Sequence, residues 1–314
     1  LIIKDFNSNK NKEDKKNVDE TVKNFLSTLN DKHTLNFWII NTISSWKLNH
    51  KDKIKTNRYT GLKNLGNTCY MNSLVQMLFN LGLFRDGIVN CDYNSKETKN
   101  NCLFELKKLF FCLQYLDMQY YTPDSFPKNF ENSPLNPKEQ MDVDEFFANL
   151  MDKLETRLKG TNSENIIKYI FQGKQNDNLN FEGGCPHKRT NISDFYSIQL
   201  QVKDKKDIYQ SLDTFIEGEY MSGDNSIFCD KCKKKFAANK NQDFNTLPRV
   251  LMFVLKRFEF DYNKMIRYKI NDYFEFPLEL DMNKYTSDYI TGKNKNMNNK
   301  YLLRGVVIHS GTCE

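Results

Sequence analysis

The sequence predicts an α+β fold in which helices dominate the first half of the chain and strands the last third. Apolar residues recur at helical spacing between Cys69 and Gly82, where the glycine is expected to end the helix, and again in residues 101–118 and 146–154. The last third contains apolar runs rich in β-branched and aromatic residues, such as residues 247–258. Cysteines and a histidine at metal-ligand spacing lie between these parts, so a metal-binding insertion is expected there.

The composition limits the class of protein. Hydrophobic residues make up 39% of the 314 residues, which is enough for a substantial core, and the mean hydropathy of −0.70 predicts a soluble protein. No apolar run approaches the length of a transmembrane helix. Lys and Arg number 46 and Asp and Glu 40, with the two signs interspersed. Neither a membrane nor a nucleic acid is therefore the expected partner.

The eight cysteines are expected to be reduced. The chain is too long and too rich in apolar residues for a disulfide scaffold, and residues 1–5 do not resemble a signal peptide. Free thiols and metal ligation are therefore expected, in a cytoplasmic and also nuclear protein. Because the first residue is not methionine, we expect the sequence to be a segment of a longer chain.

Residues 1–57 are predicted to form a polar arm and helices that precede the main domain, residues 58–314. Residues 7–16 contain almost no apolar side chain, which is typical of a solvated or disordered arm. Apolar residues then recur at helical spacing in residues 18–29, and a second apolar segment covers residues 35–43. We expect these helices to pack against the domain that follows.

Cys69 is the first candidate functional residue, because it follows a glycine-containing loop and begins a predicted helix. Gly61 and Gly66 interrupt regular structure, and Thr68 is a good N-cap residue. Free backbone N–H groups and the helix dipole at such a position favour a thiolate and could hold an oxyanion. Asn64 lies just upstream and could add a side-chain donor. The alternative is a buried structural cysteine that happens to begin a helix.

A pair of carboxylates marks the start of another predicted helix. Asp142 and Glu145 are three residues apart, so they share one face of the first turn and form a compact acidic site, just after Gln140. The apolar stripe of residues 146–154 follows them. The helix dipole alone favours acidic side chains in a first turn, so the pair also has a purely structural explanation.

Two pairs of residues have the spacing of metal ligands. The four candidates are Cys185 and His187, in a Cys-x-His string, and Cys229 and Cys232, in a Cys-x-x-Cys string. Two such pairs can hold one tetrahedral Zn²⁺, and four protein ligands leave no open position, so the metal is expected to be structural. A redox pair is the alternative for the Cys-x-x-Cys string. The alternating apolar residues of 198–202 predict a strand, and with it an inserted zinc ribbon.

Residues 61–73 read Gly-Leu-Lys-Asn-Leu-Gly-Asn-Thr-Cys-Tyr-Met-Asn-Ser, and this string resembles the cysteine box of the ubiquitin-specific proteases, a family of deubiquitinating cysteine peptidases. Thirteen consecutive positions fit the box, which makes the resemblance specific. It implies that Cys69 is the nucleophile and that Asn64 is an oxyanion-hole donor. It also implies a papain-like cysteine peptidase fold with thumb, palm and fingers, in which residues 58–314 are the catalytic domain.

Later segments are similar to the same family. The Gln-x-Asp-x-x-Glu-Phe string is similar to its second box, which implies that Gln140, Asp142 and Glu145 bind substrate near the channel for the arginine-containing tail of ubiquitin. The four candidate metal ligands resemble the zinc site at the tips of the fingers, here about residues 180–245. Histidine in place of one cysteine is similar to the fat-facets-like branch of large members. Residues 247–258 look like a palm strand.

The general base is the open question. A cysteine peptidase needs a base beside the thiol, oriented by a third residue. Residues 301–314 resemble the start of the family's histidine box, but the Gly-His-Tyr string that carries the catalytic histidine does not follow. We therefore expect the chain to stop before two members of the triad, with His309 as a structural or near-site residue. His309 as the base itself is the alternative, because His33 and His50 lie in the N-terminal region and His187 is a candidate ligand.

The leading hypothesis is a deubiquitinase that hydrolyses the bond after the C-terminal glycine of ubiquitin, with ubiquitin and ubiquitinated proteins as partners. One alternative is a scaffold that binds ubiquitin without cleaving it, which would suit a chain without the catalytic histidine. A second alternative is a zinc-ribbon module that binds nucleic acid through its basic loops. The interspersed acids and the cysteine box disfavour that alternative.

Overall fold

The computed structural model describes residues 2–6, 59–92, 101–115, 119–130, 134–294 and 298–311. The chain divides into two compact units. The helical unit is Ser8–Ile167, and the sheet unit is Leu1–Asn7 together with Lys168–Glu314. The helices predicted within residues 18–43 lie outside the described residues.

The described part of the chain contains eight α-helices. They are α1 (Cys69–Phe79), α2 (Gly82–Val89), α3 (Cys102–Tyr115), α4 (Ser125–Lys128), α5 (Val143–Leu158), α6 (Ile166–Phe171), α7 (Ile208–Glu217) and α8 (Ser287–Ile290). The strands are β1 (Ile2–Phe6), β2 (Gly61–Leu62), β3 (Tyr120–Tyr121), β4 (Gly173–Phe181), β5 (Lys188–Phe195), β6 (Ile198–Gln201), β7 (Glu219–Met221), β8 (Ile227–Cys229), β9 (Lys234–Phe236), β10 (Ala238–Thr246), β11 (Val250–Lys256), β12 (Phe258–Asp261), β13 (Ile266–Lys269), β14 (Glu279–Asp281) and β15 (Lys300–Val306). Among the described helices, none is both long and apolar enough to span a membrane.

The predicted helices α1, α3 and α5 form the core of the helical unit. Leu74 and Leu78 of α1 are completely buried, as helical periodicity predicted. Tyr70 of α1 packs edge-to-face on Phe146 of α5, with ring centroids 5.4 Å apart. Each large apolar side chain buried in this way contributes roughly 1.5–3 kcal/mol to folding. This packing joins the start of α1 to the start of α5.

Two local predictions in the helical unit were wrong. Gly82 does not end α1 but begins α2, because α1 already ends at Phe79 and Asn80 caps it, donating to the carbonyl oxygen of Gln76 through both its backbone and its side chain. The prolines at positions 123, 127, 134 and 137 predict a non-helical connection, yet this segment contains α4. Pro127 is tolerated there because a first helical turn has no intrahelical use for its missing N–H group.

A buried polar network joins α3 to α4. Glu105 Oε2 accepts from Lys108 Nζ at 3.2 Å and from Ser125 Oγ at 2.6 Å, and Glu105 Oε1 accepts from Asn129 Nδ2 at 3.0 Å. The side chains of Glu105 and Lys108 are 4% and 7% exposed, so the two charges are compensated within the protein rather than by water. Helical periodicity places Glu105 and Lys108 on one face of α3, but it does not predict their contacts with Ser125 and Asn129.

A five-stranded sheet forms the centre of the sheet unit, in the order β14-β15-β1-β11-β6. Strand β11 is the apolar run predicted as a buried strand, and Leu251, Met252 and Phe253 have no exposed surface. Strand β1 pairs antiparallel with both β11 and β15. Residues 2–6 were included in the predicted polar arm, whose remaining residues up to 57 lie outside the described part of the chain.

A four-stranded antiparallel sheet, in the order β5-β4-β10-β7, contains strands from within or next to the region predicted as fingers. Helix α7 packs on it, with the ring of Phe215 stacked on that of Phe244 at 5.3 Å. The prediction that residues 198–202 belong to the metal-binding insertion was wrong. Strand β6 instead pairs in parallel with β11 in the five-stranded sheet, where Ile198 and Leu200 are buried.

Two predictions near the C-terminus also differ from the structure. The aromatic residues of 273–277 predict a short strand, but this segment makes only an isolated bridge between Glu275 and Asp207. The polar composition of residues 286–300 predicts an exposed loop, yet the segment begins with buried Thr286 and helix α8.

Candidate functional site

Cys69 is the first residue of α1, and its side chain is exposed. The first helical hydrogen bond runs from Asn72 N–H to Thr68 O, so the preceding N–H groups of the first turn have no intrahelical partner. These groups and the helix dipole favour negative charge at this end of the helix. The expectation of a cysteine at a helix start is therefore met, and the alternative of a buried structural cysteine is not.

Asn64 is held by the loop that leads to Cys69. Its Oδ1 atom accepts hydrogen bonds from Gly66 N–H at 3.1 Å, from Thr68 N–H at 3.1 Å and from Thr68 Oγ1 at 3.0 Å. The side chain is exposed, and its Nδ2 group has no hydrogen-bond partner among the described residues. Backbone N–H groups can only donate, so they require the oxygen and not the nitrogen of the carboxamide to face the loop. Asn64 thus presents a free donor.

The loop is anchored to the segment that precedes α5. Gly66 has a φ of +136°, and Asn67 N–H donates to Pro137 O at 2.7 Å. The Asn67 side chain donates to Lys138 O at 2.7 Å. Pro137 and Lys138 come just before Gln140, so these contacts bring the cysteine loop and the acidic segment together within the helical unit.

The acidic segment begins α5 as predicted. Asp142 is the N-cap residue, and its carboxylate accepts from Asp144 N–H at 2.7 Å, which gives this residue the structural role that a first-turn acid can have. Gln140 and Glu145 are exposed. The Glu145 side chain makes no hydrogen bond or ion pair among the described residues. It is therefore the acid of the pair that is available to a ligand.

Tyr70 links the two helix starts. Burial raises the pKa of its hydroxyl, and the negative charges of Cys69 and Glu145 raise it further. Its ring packs on Phe146, next to Glu145. The thiol, the phenol and the free carboxylate therefore lie in one neighbourhood of the helical unit.

The four predicted metal ligands form one cluster in the sheet unit. Cys185 and His187 lie between β4 and β5, whereas Cys229 ends β8 and Cys232 lies in the turn before β9. The Cys185 sulfur lies 3.6 Å from the Cys229 sulfur and 3.7 Å from the Cys232 sulfur. His187 Nδ1 lies 3.6, 3.5 and 3.3 Å from the sulfurs of Cys185, Cys229 and Cys232 respectively. All four cysteine and histidine ligand atoms lie within 4.8 Å of one another.

These distances fit a tetrahedral metal ion. With Zn–S of about 2.3 Å and Zn–N of about 2.0 Å, the ligand atoms of a tetrahedral site lie roughly 3.5–3.8 Å apart. The three sulfurs are free thiols, which excludes a disulfide in this structure. Backbone N–H groups of Cys232 and Lys231 lower the pKa of Cys229 to about 6. This polarisation favours the thiolate that a metal requires, so the cluster could hold a metal ion.

His309 lies in the sheet unit, after β15, and is exposed. Its ring packs edge-to-face on Phe258, with centroids 5.3 Å apart. Lys269 Nζ donates to His309 O at 3.0 Å and to Gly311 O at 3.2 Å. These contacts hold the backbone of the segment that contains His309. His33 and His50 lie outside the described residues.

Comparison with known families identifies the chain. The family model described as ubiquitin carboxyl-terminal hydrolase matches residues 60–314. The chain belongs to this family. The match confirms the predicted resemblance to ubiquitin-specific proteases and the papain-like cysteine peptidase fold with mixed α and β content.

Several ubiquitin hydrolases are similar over most of the chain. Human ubiquitin carboxyl-terminal hydrolase 34 is 34% identical over 281 residues, which cover 84% of this chain and 8% of that protein. Ubiquitin C-terminal hydrolase 13 of Arabidopsis thaliana is 35% identical over 262 residues, covering 83% of this chain and 23% of that protein. Ubiquitin carboxyl-terminal hydrolase 5 of Schizosaccharomyces pombe is 35% identical over 267 residues, with the same coverage of 83% and 23%. The chain thus spans less than a quarter of each relative's length.

Sequence reasoning did not identify the residues that organise the candidate site. Thr68 was expected only to cap α1, but its hydroxyl accepts from Leu65 N–H at 3.0 Å and donates to Asn64. Tyr70 and the carbonyl groups of Pro137 and Lys138 were not singled out. The residue types of Pro137 and Lys138 do not indicate that their backbone carbonyl groups accept hydrogen bonds from Asn67, some 70 positions away. The position of Thr68 directly before Cys69 was the one available signal.

Proposed function

We propose that this chain is the catalytic domain of a deubiquitinase in which Cys69 is the nucleophile. The observation that carries the proposal is an exposed cysteine at the first position of α1, directly after a loop that orients the Asn64 carboxamide. The names of the relatives describe hydrolases that act at the carboxyl terminus of ubiquitin. Membership in the family supports the same activity for this chain.

The reaction follows from the groups at the site. The Cys69 thiolate attacks the carbonyl carbon of the terminal glycine of ubiquitin and forms a C–S bond. The carbonyl oxygen becomes an oxyanion, which Asn64 Nδ2 and the N–H groups at the start of α1 stabilise. The C–N bond then breaks, and the amine leaves with the proton that the general base took from the thiol. Water hydrolyses the thioester and releases the ubiquitin carboxylate and the free thiol.

We propose that the acidic segment binds the basic tail of ubiquitin. Glu145 is exposed and without an ionic partner among the described residues, and Gln140 is exposed nearby in sequence. Carboxylates form charge-assisted hydrogen bonds with arginine, which suits an arginine-containing peptide. Asp142 contributes mainly by capping α5, since one of its oxygens is already occupied.

We propose that the cluster formed by Cys185, His187, Cys229 and Cys232 holds a structural Zn²⁺ at the tip of the fingers. Three soft sulfur ligands and one imidazole nitrogen favour zinc among the common cellular divalent ions. Four protein ligands leave no position for a substrate. The metal would fix the turns that precede β5 and β9 and would take no part in the chemistry.

The histidine in this cluster also supports a place in the fat-facets-like branch of large family members. The match covers only 8% of human hydrolase 34 and 12% of human hydrolase 9Y, so several similar proteins are large. A cytoplasmic and also nuclear location remains our proposal, because reduced thiols suit a reducing compartment.

The decisive experiment uses ubiquitin with an electrophilic group at its C-terminus. We expect a covalent adduct with the chain extended past Glu314, and no adduct with the Cys69→Ala variant of the same protein. The core variant Cys102→Ala is the matched control and should react normally, because Cys102 is completely buried. An adduct that persists in Cys69→Ala would contradict the assignment of the nucleophile.

The same experiment tests the alternatives. If neither the 314-residue chain nor the extended protein reacts but both bind ubiquitin, the scaffold hypothesis holds and the peptidase proposal fails. If the 314-residue chain reacts and His309→Ala abolishes the reaction, His309 is the general base. We expect instead that His309→Ala of the extended protein still forms the adduct.

A further inference from the structure

The loop from Asn64 to Thr68 is closed by side-chain hydrogen bonds at both ends. Thr68 Oγ1 accepts from Leu65 N–H at 3.0 Å and donates to Asn64 Oδ1 at 3.0 Å. Thr68 N–H donates to the same oxygen at 3.1 Å. The Thr68 residue is completely buried, whereas the Asn64 side chain is exposed. One hydroxyl therefore ties the first half of the loop to the residue that precedes Cys69.

This arrangement determines what Asn64 can do. Its oxygen accepts three hydrogen bonds, so the carboxamide cannot rotate by 180° without placing its NH₂ group against two N–H donors. The Nδ2 group is thereby directed away from the loop before any substrate binds. A donor fixed in advance is worth more to an oxyanion than one that must reorient during the reaction, because no reorganisation is needed.

We propose that Thr68 is a positioning residue for the oxyanion donor: its buried hydroxyl locks the Asn64 carboxamide in the orientation that stabilises the transition state. This inference rests on the proposed function of Cys69 and Asn64. It assigns Thr68 no contact with substrate. Its effect on the rate passes through Asn64, while the helix N-cap position itself could be filled by other small residues.

Thr68→Val tests the assignment, because valine keeps the shape and removes the hydroxyl. In full-length protein that contains this chain, we expect kcat for ubiquitin cleavage to fall roughly threefold to tenfold, the range of one hydrogen bond, with KM little changed. Thr68→Ser keeps the hydroxyl and should restore most of kcat. Asn64→Ala alone should lower kcat by roughly 10²–10³.

The double variant separates positioning from general destabilisation. If Thr68 acts through Asn64, adding Thr68→Val to Asn64→Ala should lower kcat by less than about twofold, because the group that it positions is gone. An equal loss of kcat in both backgrounds would overturn the proposal, as would a Thr68→Val protein with unchanged kcat. Thr68→Ala serves the same cycle if the valine variant does not fold.

Thr286→Val is the matched control. Thr286 is another buried threonine, whose hydroxyl donates to Asn283 O at 2.7 Å in the sheet unit. We expect Thr286→Val to change the melting temperature but to leave kcat unchanged, both in the wild-type background and in the Asn64→Ala background. Should the wild-type protein not cleave ubiquitin at all, the proposed function fails. If the wild-type protein cleaves ubiquitin but the losses of kcat from Thr68→Val and Asn64→Ala are additive, only the positioning role of Thr68 is refuted.

Discussion

Gly66 shows how the site depends on a single backbone conformation. Its φ of +136° lies in a region that side chains rarely adopt, and a Cβ atom there would lie 2.7 Å from the carbonyl oxygen of Pro137. The neighbouring Asn67 N–H donates to that same oxygen. A side chain at position 66 would therefore push apart the two segments that form the site.

We predict that Gly66→Ala lowers both stability and activity. The unfavourable φ alone costs about 1–2 kcal/mol, and the steric contact with Pro137 adds to it. Gly160→Ala is the matched control, because Gly160 also has a positive φ, +75°, but a Cβ atom there meets nothing within 4 Å. Thermal unfolding and cleavage of a ubiquitin substrate should show the larger loss for Gly66→Ala. Equal losses for the two variants would show that the contact with Pro137 does not matter.

The residues of the site were predictable in part. The position of Cys69 at a helix start follows from the preceding glycines and the apolar spacing after it, which are local signals. That Asn64 uses its oxygen for the loop and keeps its nitrogen free could not be predicted, because it depends on three hydrogen bonds that form only in the folded loop. The family resemblance pointed to the residue but not to its orientation.

At the scale of elements, the α3–α4 network gives a test of buried charge. We predict that Glu105→Ala destabilises the helical unit by roughly 3–5 kcal/mol, because it leaves the Lys108 ammonium buried without its carboxylate. The double variant Glu105→Leu with Lys108→Met should be less destabilising than Glu105→Ala, since it buries no charge. Urea denaturation measures both.

The surface pair of Arg85 and Asp86 is the control for this prediction. The Asp86 side chain is 61% exposed, so Asp86→Ala should cost at most about 1 kcal/mol. If Glu105→Ala were as mild as Asp86→Ala, the buried network would not stabilise the packing of α3 on α4.

The metal cluster gives a prediction about pH. The pKa of Cys229 is about 6 in the folded chain, below its ordinary value of 9.0. The folded state therefore favours the thiolate of Cys229, and the contribution of this one group to stability is complete above pH 9 and is lost as the pH falls through about 6. Burial and the neighbouring sulfurs raise the pKa of Cys232 to about 11, so that group favours the thiol. Protons also compete with the metal for the sulfurs, so bound metal should be released over the same acidic range.

Metal analysis and thermal unfolding at a series of pH values check this prediction. We expect one zinc per chain near neutral pH and a progressive loss below pH 6. Cys229→Ser should lose the metal. Cys112→Ala should retain it, because Cys112 lies in the core of the helical unit, outside the cluster, and burial raises the pKa of its thiol to about 12. Zinc that remains bound to Cys229→Ser would contradict the assignment of the ligands.

At the scale of the whole molecule, Cys69 and the cysteine and histidine cluster belong to different compact units. We predict that removing the metal with a chelator leaves the reaction of Cys69 with a small alkylating agent unchanged but slows its reaction with electrophilic ubiquitin severalfold. The reason is that the chemistry of Cys69 depends on α1 and its loop, whereas a large protein substrate would also contact the fingers.

Peptide mapping by mass spectrometry separates Cys69 from the cluster thiols in this experiment. The Cys185→Ser variant, which lacks one ligand from the start, should reproduce the effect of the chelator. Equal slowing of the small reagent and of ubiquitin would mean that metal loss unfolds the chain as a whole.

The sequence by itself determined the family, the class of fold, the start of helix α1 at Cys69 and the four residues of the cluster that could hold a metal ion. Each of these depends on signals that are local along the chain: periodicity, glycine positions, ligand spacing and a string of thirteen residues. Tertiary structure alone decided the meeting of the cysteine loop with Pro137, the free donor of Asn64, the buried Glu105 network and the place of β6 in the larger sheet. The orientation of Asn64 depends on hydrogen bonds that form only in the folded loop. The other three features depend on contacts between residues far apart in the chain, and no local pattern specifies which side chain, backbone carbonyl or strand edge will be the partner.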